Sequence, residues 1–322
     1  MKAAVLHKFG EIPRYEHFPD PSPEKDEVLI NVKAVALENV DKMMAKGEHF
    51  ASQQFLSDLP GIVGFDGIGE HPDGTLVGFS GMKAPYGAMA EKAVVPREST
   101  VPIPGGVDPV TAAALPASAL TSLFPLKWGV NMEPGETVLI NGATGVSGKL
   151  AIKIAKLLGA GRVIGTGRND ESLKRIREIG ANSVIDLKKS DEKVIKSFEK
   201  EVDKGIDIVL DFLWGNPTEL LLQALTPKEI GLKGRRNRLV QIGEAAGSKI
   251  VLPAGALRTS GLEILGGAAG MTMESITEGT NLIWEWIKEK KLDMDIDVIP
   301  LEKIGDIWKQ SDFQGKRIVI TP

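Results

Sequence analysis

The chain of 322 residues contains no cysteine. That absence excludes disulfides, thiolate metal sites and thiol nucleophiles together. Histidine is scarce, at four, and tyrosine scarcer, at two, so few side chains can move a proton near neutral pH. Neither sign of charge is in clear excess: 43 acidic residues against 39 basic ones give a formal net charge of −4. Binding along a phosphate backbone usually needs a basic surplus, and nucleic acid is not an expected partner. No run of ~18 apolar residues reads as a bilayer span, and the opening "MKAAVLHKFG" enters a strand-like run rather than an apolar leader. The expectation is a cytoplasmic protein with no membrane partner.

What is present is material for a core. Hydrophobic side chains make up 42% of the chain, and its length exceeds the ~150 residues usual for one domain. Two domains are expected. The head is β-rich and punctuated by proline and glycine: "AAVL", "EVLINVKAVAL", "TLVGFS" and "AMAEKAVV" read as short strands, with "PDPSPEKDE" and "HPDG" as turns. From Thr137 onward strands alternate with amphipathic helices; "TVLIN", "RVIGTG", "SVID", "IDIVLDF", "RLVQIG" and "LEILGG" are the strands, and helices begin near Gly145, Asp170, Asp191 and Pro217. Such a β-α series implies a parallel sheet covered by helices on both faces. The tail returns to short strands around one helix, as in the head. One discontinuous domain, 1–116 with 268–322, therefore carries an insert, 117–267.

The stretch "NGATGVSGKLAIKIAKLLGA" holds three glycines at three-residue spacing between a strand and a helix. In a dinucleotide site the first permits a tight turn, the second lets backbone approach a pyrophosphate, and the third lets the helix pack on the sheet. Gly142, Gly145 and Gly148 suit those roles, with Ala143, Thr144 and Val146 completing the turn. The helix sets Val146, Leu150, Ile154 and Leu157 on one face, its first amides facing the turn. An ordinary tight loop between packed elements is the other reading of the glycines alone. At the end of the second strand, where NAD-preferring sites carry a carboxylate, stand Gly167, Arg168 and Asn169. Arg168 suits a 2′-phosphate, which points to NADPH; a solvated arginine opening a loop is the alternative.

In order and spacing, "PGIVGFDGIGE", "GAMAE", "AALPASALTS", "GATGVSG", "GRND", "DFLWG" and "QIGEAAG" resemble the medium-chain dehydrogenase/reductase superfamily, and within it the zinc-independent quinone oxidoreductase branch. The resemblance covers essentially the whole chain. It implies an α/β fold, a Rossmann-type doubly wound parallel sheet inserted into a β-rich GroES-like catalytic domain, with the nicotinamide in a cleft between domains. It sets Leu213, Trp214, Gly243, Glu244 and Ala245 along the nicotinamide half of the cofactor, with Thr121 nearby. Zinc enzymes of the superfamily ligate metal through cysteine and a Gly-His-Glu motif; here the matching segment reads Gly64-Phe65-Asp66. A tetrahedral catalytic zinc needs three protein ligands, so a zinc alcohol dehydrogenase is disfavoured.

The implied reaction is metal-free hydride transfer from NADPH to a small quinone or an α,β-unsaturated carbonyl compound, with a homodimer as the assembly. A catalytically idle redox sensor or crystallin-like protein of the same fold is the competing reading. Relatives carry an Asn-x-x-Asp pair followed by a glycine and a tyrosine. Aligned on Gly47, this chain has Glu38 in place of the asparagine, Asn39 beside it, then Asp41, and His49 in place of the tyrosine; Tyr86 precedes "GAMAE". Asn39, Asp41, His49 and Tyr86 are thus the candidate catalytic residues, His49 standing equally as an exposed loop histidine.

Overall fold

The computed structural model describes residues 1–227, 236–310 and 313–322. The chain divides into two compact units, Met1–Ala117 with Asp293–Pro322, and Ser118–Leu292.

In chain order the first unit opens with β1 (Lys2–Leu6), β2 (Arg14–His17), β3 (Glu27–Leu37), α1 (Asn39–Lys46), α2 (Ser52–Phe55), β4 (Gly61–Ile62), β5 (Asp66–Glu70), β6 (Leu76–Ser80), β7 (Lys92–Pro96), β8 (Thr100–Pro102) and α3 (Pro109–Ala114). The second unit holds α4 (Pro116–Phe124, entering from the first), β9 (Thr137–Asn141), α5 (Val146–Leu157), β10 (Arg162–Gly167), α6 (Asp170–Glu178), β11 (Ser183–Asp186) and α7 (Asp191–Lys204). It continues with β12 (Ile208–Asp211), α8 (Gly215–Leu225), β13 (Asn237–Gln241), α9 (Ala254–Thr259), β14 (Leu262–Gly266) and α10 (Met273–Lys288). The chain then returns to the first unit through β15 (Ile296–Pro300), α11 (Ile304–Lys309) and β16 (Arg317–Thr321).

The long strand β3 organises the first unit. Val28, Ile30, Val32 and Ala34 alternate into the core, then Val35, Ala36 and Leu37 are all buried where the strand meets β16. Period-two alternation with one face inward is what a half-buried antiparallel strand requires. β3 pairs antiparallel with β7, β5 and β16, so strands from head and tail share one sheet, ordered β15-β16-β3-β5-β6-β8 with β7 beside β3. A three-stranded sheet, β2-β1-β4, lies in the same unit.

The second unit is a six-stranded parallel sheet in the order β11-β10-β9-β12-β13-β14. That order reverses direction between β9 and β12, the switch point at which open α/β sheets take ligands at the carboxyl ends of their strands. All residues of β9 and β12 are buried, whereas β14 at one edge exposes Glu263 and Ile264. On α5 the buried face is wider than the apolar stripe suggests. Leu150 and Ile154 are inside as expected, but Gly148, Ala151, Ile152 and Ala155 join them while Val146 and Leu157 are half-exposed. Small residues let this helix lie close to the sheet.

Two expectations are corrected. The return to the first unit comes after Leu292, not at 268, because α10 belongs to the second unit. Gly279 of α10 lies against Leu120 and Trp128, and Lys127 pairs with Glu278 at 3.2 Å. A stretch apolar and long enough for a bilayer does exist, Pro109–Gly129, with mean hydropathy 1.3. It is divided into α3, α4 and a π-turn at Pro125–Gly129, and α3 packs on β3, β5 and β16. Proline lacks the N–H and the φ freedom to continue a helix smoothly, which sets breaks at Pro116 and Pro125.

Candidate functional site

The glycine turn leaves β9 and enters α5. Gly142 has φ +92°, open to glycine at little cost, and its N–H donates to Thr166 Oγ1 at 2.9 Å. A Cβ on Gly148 would collide with the Gly142 carbonyl, so the third glycine is what lets α5 begin so close to the turn. Gly145, the N-cap of α5, has nothing within 4 Å of where a Cβ would lie and offers no side-chain cap. The first N–H groups of α5 thus meet no capping side chain in front of an open cradle, the arrangement an anion requires. A pyrophosphate fits.

At the end of β10, a Cβ on Gly167 would collide with Thr144 Cγ2 and come within 3.2 Å of Leu173. No carboxylate-bearing residue fits there without rearranging the turn. Next to it, Arg168 is exposed and makes no hydrogen bond or ion pair within the described residues. Asn169 is employed otherwise: its Oδ1 accepts from Ser172 N at 2.9 Å and caps α6. Thr121 is likewise committed, its hydroxyl donating to the Ser118 carbonyl at 2.7 Å.

Below the turn lies a buried polar network that sequence reading did not pick out. Asp211, fully buried at the end of β12, accepts through Oδ1 from Asn141 Nδ2 (3.0 Å), Leu213 N (3.0 Å) and Trp214 N (3.1 Å), and through Oδ2 from Thr218 Oγ1 (2.5 Å). Thr166 Oγ1 in turn donates to Asn141 Oδ1 at 2.8 Å. The ends of β9, β10 and β12 and the start of α8 are thereby joined. Trp214 stands at φ +53°, a conformation costing a β-carbon residue on the order of 1–3 kcal/mol, and its bond to Asp211 helps hold it there. Backbone bonds from Gly243 N to the Asp211 carbonyl (3.1 Å) and Ala246 N to the Leu213 carbonyl (2.8 Å) attach the Gly243–Glu244–Ala245 turn to the same place.

In the first unit, the catalytic candidates separate. Asp41 and Tyr86 line one cavity of about 20 Å³ with Met44, Phe65 and Met82, room for roughly one water. Asn39 is exposed on the first turn of α1. His49 lies outside that lining; its Nδ1 accepts from Ala51 N at 3.2 Å and its ring rests 4.4 Å from that of Phe50. Glu38 N donates to Asp41 Oδ2 at 2.8 Å in a reciprocal capping box. Arg317 Nη2 pairs with Glu38 at 3.1 Å. Burial, with the charges of Glu38 and Asp66, pushes the Asp41 carboxyl well above the usual range, and burial beside Glu38 pushes Asp66 up to about 7. Asp66 is the acid the sequence reading passed over. Its signal was present in Gly64-Phe65-Asp66, read there only for the missing histidine.

Comparison with known proteins bears on both regions. Residues 147–279 match the zinc-binding dehydrogenase family model. A probable NADPH-dependent quinone reductase of Emericella nidulans is 27% identical over 364 aligned positions, covering all of both chains. The quinone oxidoreductase of Pseudomonas aeruginosa is 29% identical over 248 positions, 74% of this chain and 71% of its own. The crystal structure of the quinone oxidoreductase from Thermus thermophilus, solved also with NADPH, superposes with a TM-score of 0.78 at 26% identity over the full length of both. In sequence and fold the chain is similar to quinone oxidoreductase-like members of the medium-chain dehydrogenase/reductase superfamily.

Members of this superfamily differ in whether they hold zinc, and the donor set here argues against it. Phe65 occupies the expected ligand position and packs its ring 6.4 Å from that of Phe55. The described residues contain no group of three or more histidine, aspartate or glutamate side chains arranged to hold a metal ion. His7, just past β1, instead approaches Glu16 of β2 at 2.7 Å.

Proposed function

We propose that the chain is a metal-free, NADPH-dependent reductase that passes hydride to a small quinone or to an alkene conjugated with a carbonyl. The observation that carries the cofactor choice is Arg168, exposed and without a partner among the described residues, beside Gly167, a position that Thr144 keeps free of any carboxylate. The 2′-phosphate brings about two negative charges, which need a cationic partner wherever they leave water. Arg168 provides a planar fork of donors for them. The Gly142–Gly148 turn and the first amides of α5 receive the pyrophosphate, and the turns at Leu213–Trp214 and Gly243–Ala245 flank the nicotinamide half.

Bound NADPH supplies the hydride. Such acceptors delocalise the incoming charge onto an oxygen, so hydrogen-bond donors suffice where an alcohol would need a Lewis acid. Asp41 and Tyr86, on one cavity wall, are the proton-holding groups, and burial keeps the Asp41 carboxyl protonated beyond its ordinary range. Absence of cysteine and the Phe65 substitution support zinc independence. The half-paired edge strand β14, with Ile264 at 36% exposure, and Met271 and Met273 exposed at 47% and 77% in the segment after it, support a homodimer.

Fluorescence titration of NADPH and NADH tests the cofactor assignment. A charge-assisted bidentate contact contributes ~1.5–3 kcal/mol, so NADPH is preferred by roughly tenfold to a hundredfold. Arg168→Ala removes that preference while leaving NADH binding nearly unchanged. Equal losses for both cofactors would overturn the role of Arg168. Steady-state NADPH oxidation with a quinone panel separates an enzyme from an idle binder: tight binding without turnover is the sensor's signature. One zinc per chain by elemental analysis would sink the metal-free assignment, and a monomer mass by light scattering the dimer.

A further inference from the structure

Asp211 is a buried carboxylate for which the described residues provide hydrogen-bond donors and no cation. Its four donors are an amide side chain, two backbone N–H groups and a hydroxyl; among the described residues no lysine, arginine or histidine pairs with it. Four dipoles can retain an anion in the interior, but they leave its net charge uncancelled and its field reaching outward. The position of that charge is set by topology. Asp211 ends β12, the strand across the switch point from the Gly142 turn. A dinucleotide whose pyrophosphate rests on that turn and whose adenosine half runs over β10 toward Arg168 extends its nicotinamide half over the ends of β12 and β13.

We propose that the Asp211 carboxylate biases the bound cofactor toward its oxidised form and so strengthens it as a hydride donor. The inference rests on the NADP(H) reading above. The nicotinamide ring is neutral in NADPH and positively charged in NADP+. When hydride, with its two electrons, leaves the ring for the acceptor carbon, the ring gains one positive charge and the acceptor oxygen one negative charge that a proton then neutralises. A fixed negative charge at the end of β12 would favour that redistribution, because it would attract the product ring and be indifferent to the neutral one. The dipoles around Asp211 are already oriented before the cofactor arrives: Asn141 is held by Thr166, and Thr218 lies within α8. Little reorganisation opposes the field at the moment of transfer.

The test is a ratio of affinities, which a structural role leaves alone. Asp211→Asn is isosteric and keeps Oδ1 as acceptor for Asn141, Leu213 and Trp214, with its amide donating to the Thr218 hydroxyl in place of accepting from it. NADP+ and NADPH are titrated separately by calorimetry against wild type and variant. One unit charge acting through a partly screened interior is worth roughly tenfold, so Kd(NADP+)/Kd(NADPH) rises about tenfold in Asp211→Asn. Because two electrons are transferred, this equals about 30 mV in the midpoint potential of the bound couple, shifted upward. Asp211→Ser, whose hydroxyl can still accept from Leu213 N and Trp214 N in a serine turn, removes the same charge by a different route and moves the ratio in the same direction. Equal weakening of both forms in either folded variant means that Asp211 only shapes the turn, and overturns the proposal. If wild type binds neither form, the NADP(H) reading itself has failed.

Discussion

Two acidic sites, the buried Asp211 in the second unit and the buried Asp41 with half-buried Asp66 in the first, are provided for in opposite ways. Asp211 stands without another carboxyl among its partners and receives four donated hydrogen bonds. Around Asp41 and Asp66 a third acid, Glu38, crowds in; Arg317 pairs with Glu38, and its charge pulls the other two down. Burial alone does not decide how a carboxyl behaves. Donors directed at both oxygens compensate a charge placed there, whereas neighbouring acids make protonation the cheaper way to stay inside. The first arrangement suits a permanent field and the second suits a group that gains and loses a proton.

The largest effect expected from breaking this contrast is on Asp211. Asp211→Ala strands Asn141, Thr218 and two backbone N–H groups without their acceptor, and each unpaired buried donor costs ~1–3 kcal/mol. A loss on the order of 3–5 kcal/mol is expected for the second unit, read as a lower urea midpoint there. Asp66→Asn tests the other side, and its sign follows from linkage. Asp66 keeps its proton to about 7 in the folded chain against 3.8 as the ordinary value, so between those pH values the folded form binds more protons than the unfolded form. Its contribution is therefore fully present below pH ~4 and is lost as pH rises toward 7. Relative to wild type, Asp66→Asn gains stability across that window, on the order of 4 kcal/mol by pH 7, and denaturant titrations at pH 5 and pH 7.5 measure the gain. A constant difference between the two pH values would erase the contrast.

Smaller effects sharpen the comparison at the surface. Asn169→Ala removes the cap of α6 and costs ~1 kcal/mol, with the NADPH preference intact because Arg168, not Asn169, carries it. Thermal melts together with both cofactor titrations check this, and a lost preference would return Asn169 to the binding site. Lys316→Ala opens an exposed pair with Asp297, 3.1 Å apart, and changes stability by less than ~0.5 kcal/mol, since solvent and salt already screen such pairs. A larger change in the unfolding midpoint would mean that the tail pairing of β15 with β16 depends on that contact.

Legibility in the sequence followed the range of the interaction. Strands β9 to β14 and helices α5 to α8 lie where alternation, apolar runs and glycine spacing put them, because each is encoded over a few consecutive residues. The β2, β4, β5 and β8 strands of the first unit escaped reading, since short strands next to prolines and glycines carry little local signal. The return boundary was misplaced for a related reason. Nothing local in "MESITEGTNLIWEWIK" says that Gly279 will meet Trp128, far earlier in the chain.

By itself the sequence determined that cysteine chemistry is absent, that a strand-glycine-helix unit opens a parallel sheet, and that Arg168 stands where a carboxylate could have stood. Each of these depends on residue identity or on neighbours close in the chain. Only the tertiary structure decided that Asn141, Thr166, Asp211 and Thr218 form one buried network, that Asp41 shares a cavity with Tyr86 while His49 and Asn39 do not, and that Glu38, Asp41, Asp66 and Arg317 share one cluster of charges. Those groups come from strand ends and loops separated by tens to hundreds of positions. Their juxtaposition is a property of sheet order and register, which arise from pairing between distant segments and leave no periodic trace along the chain.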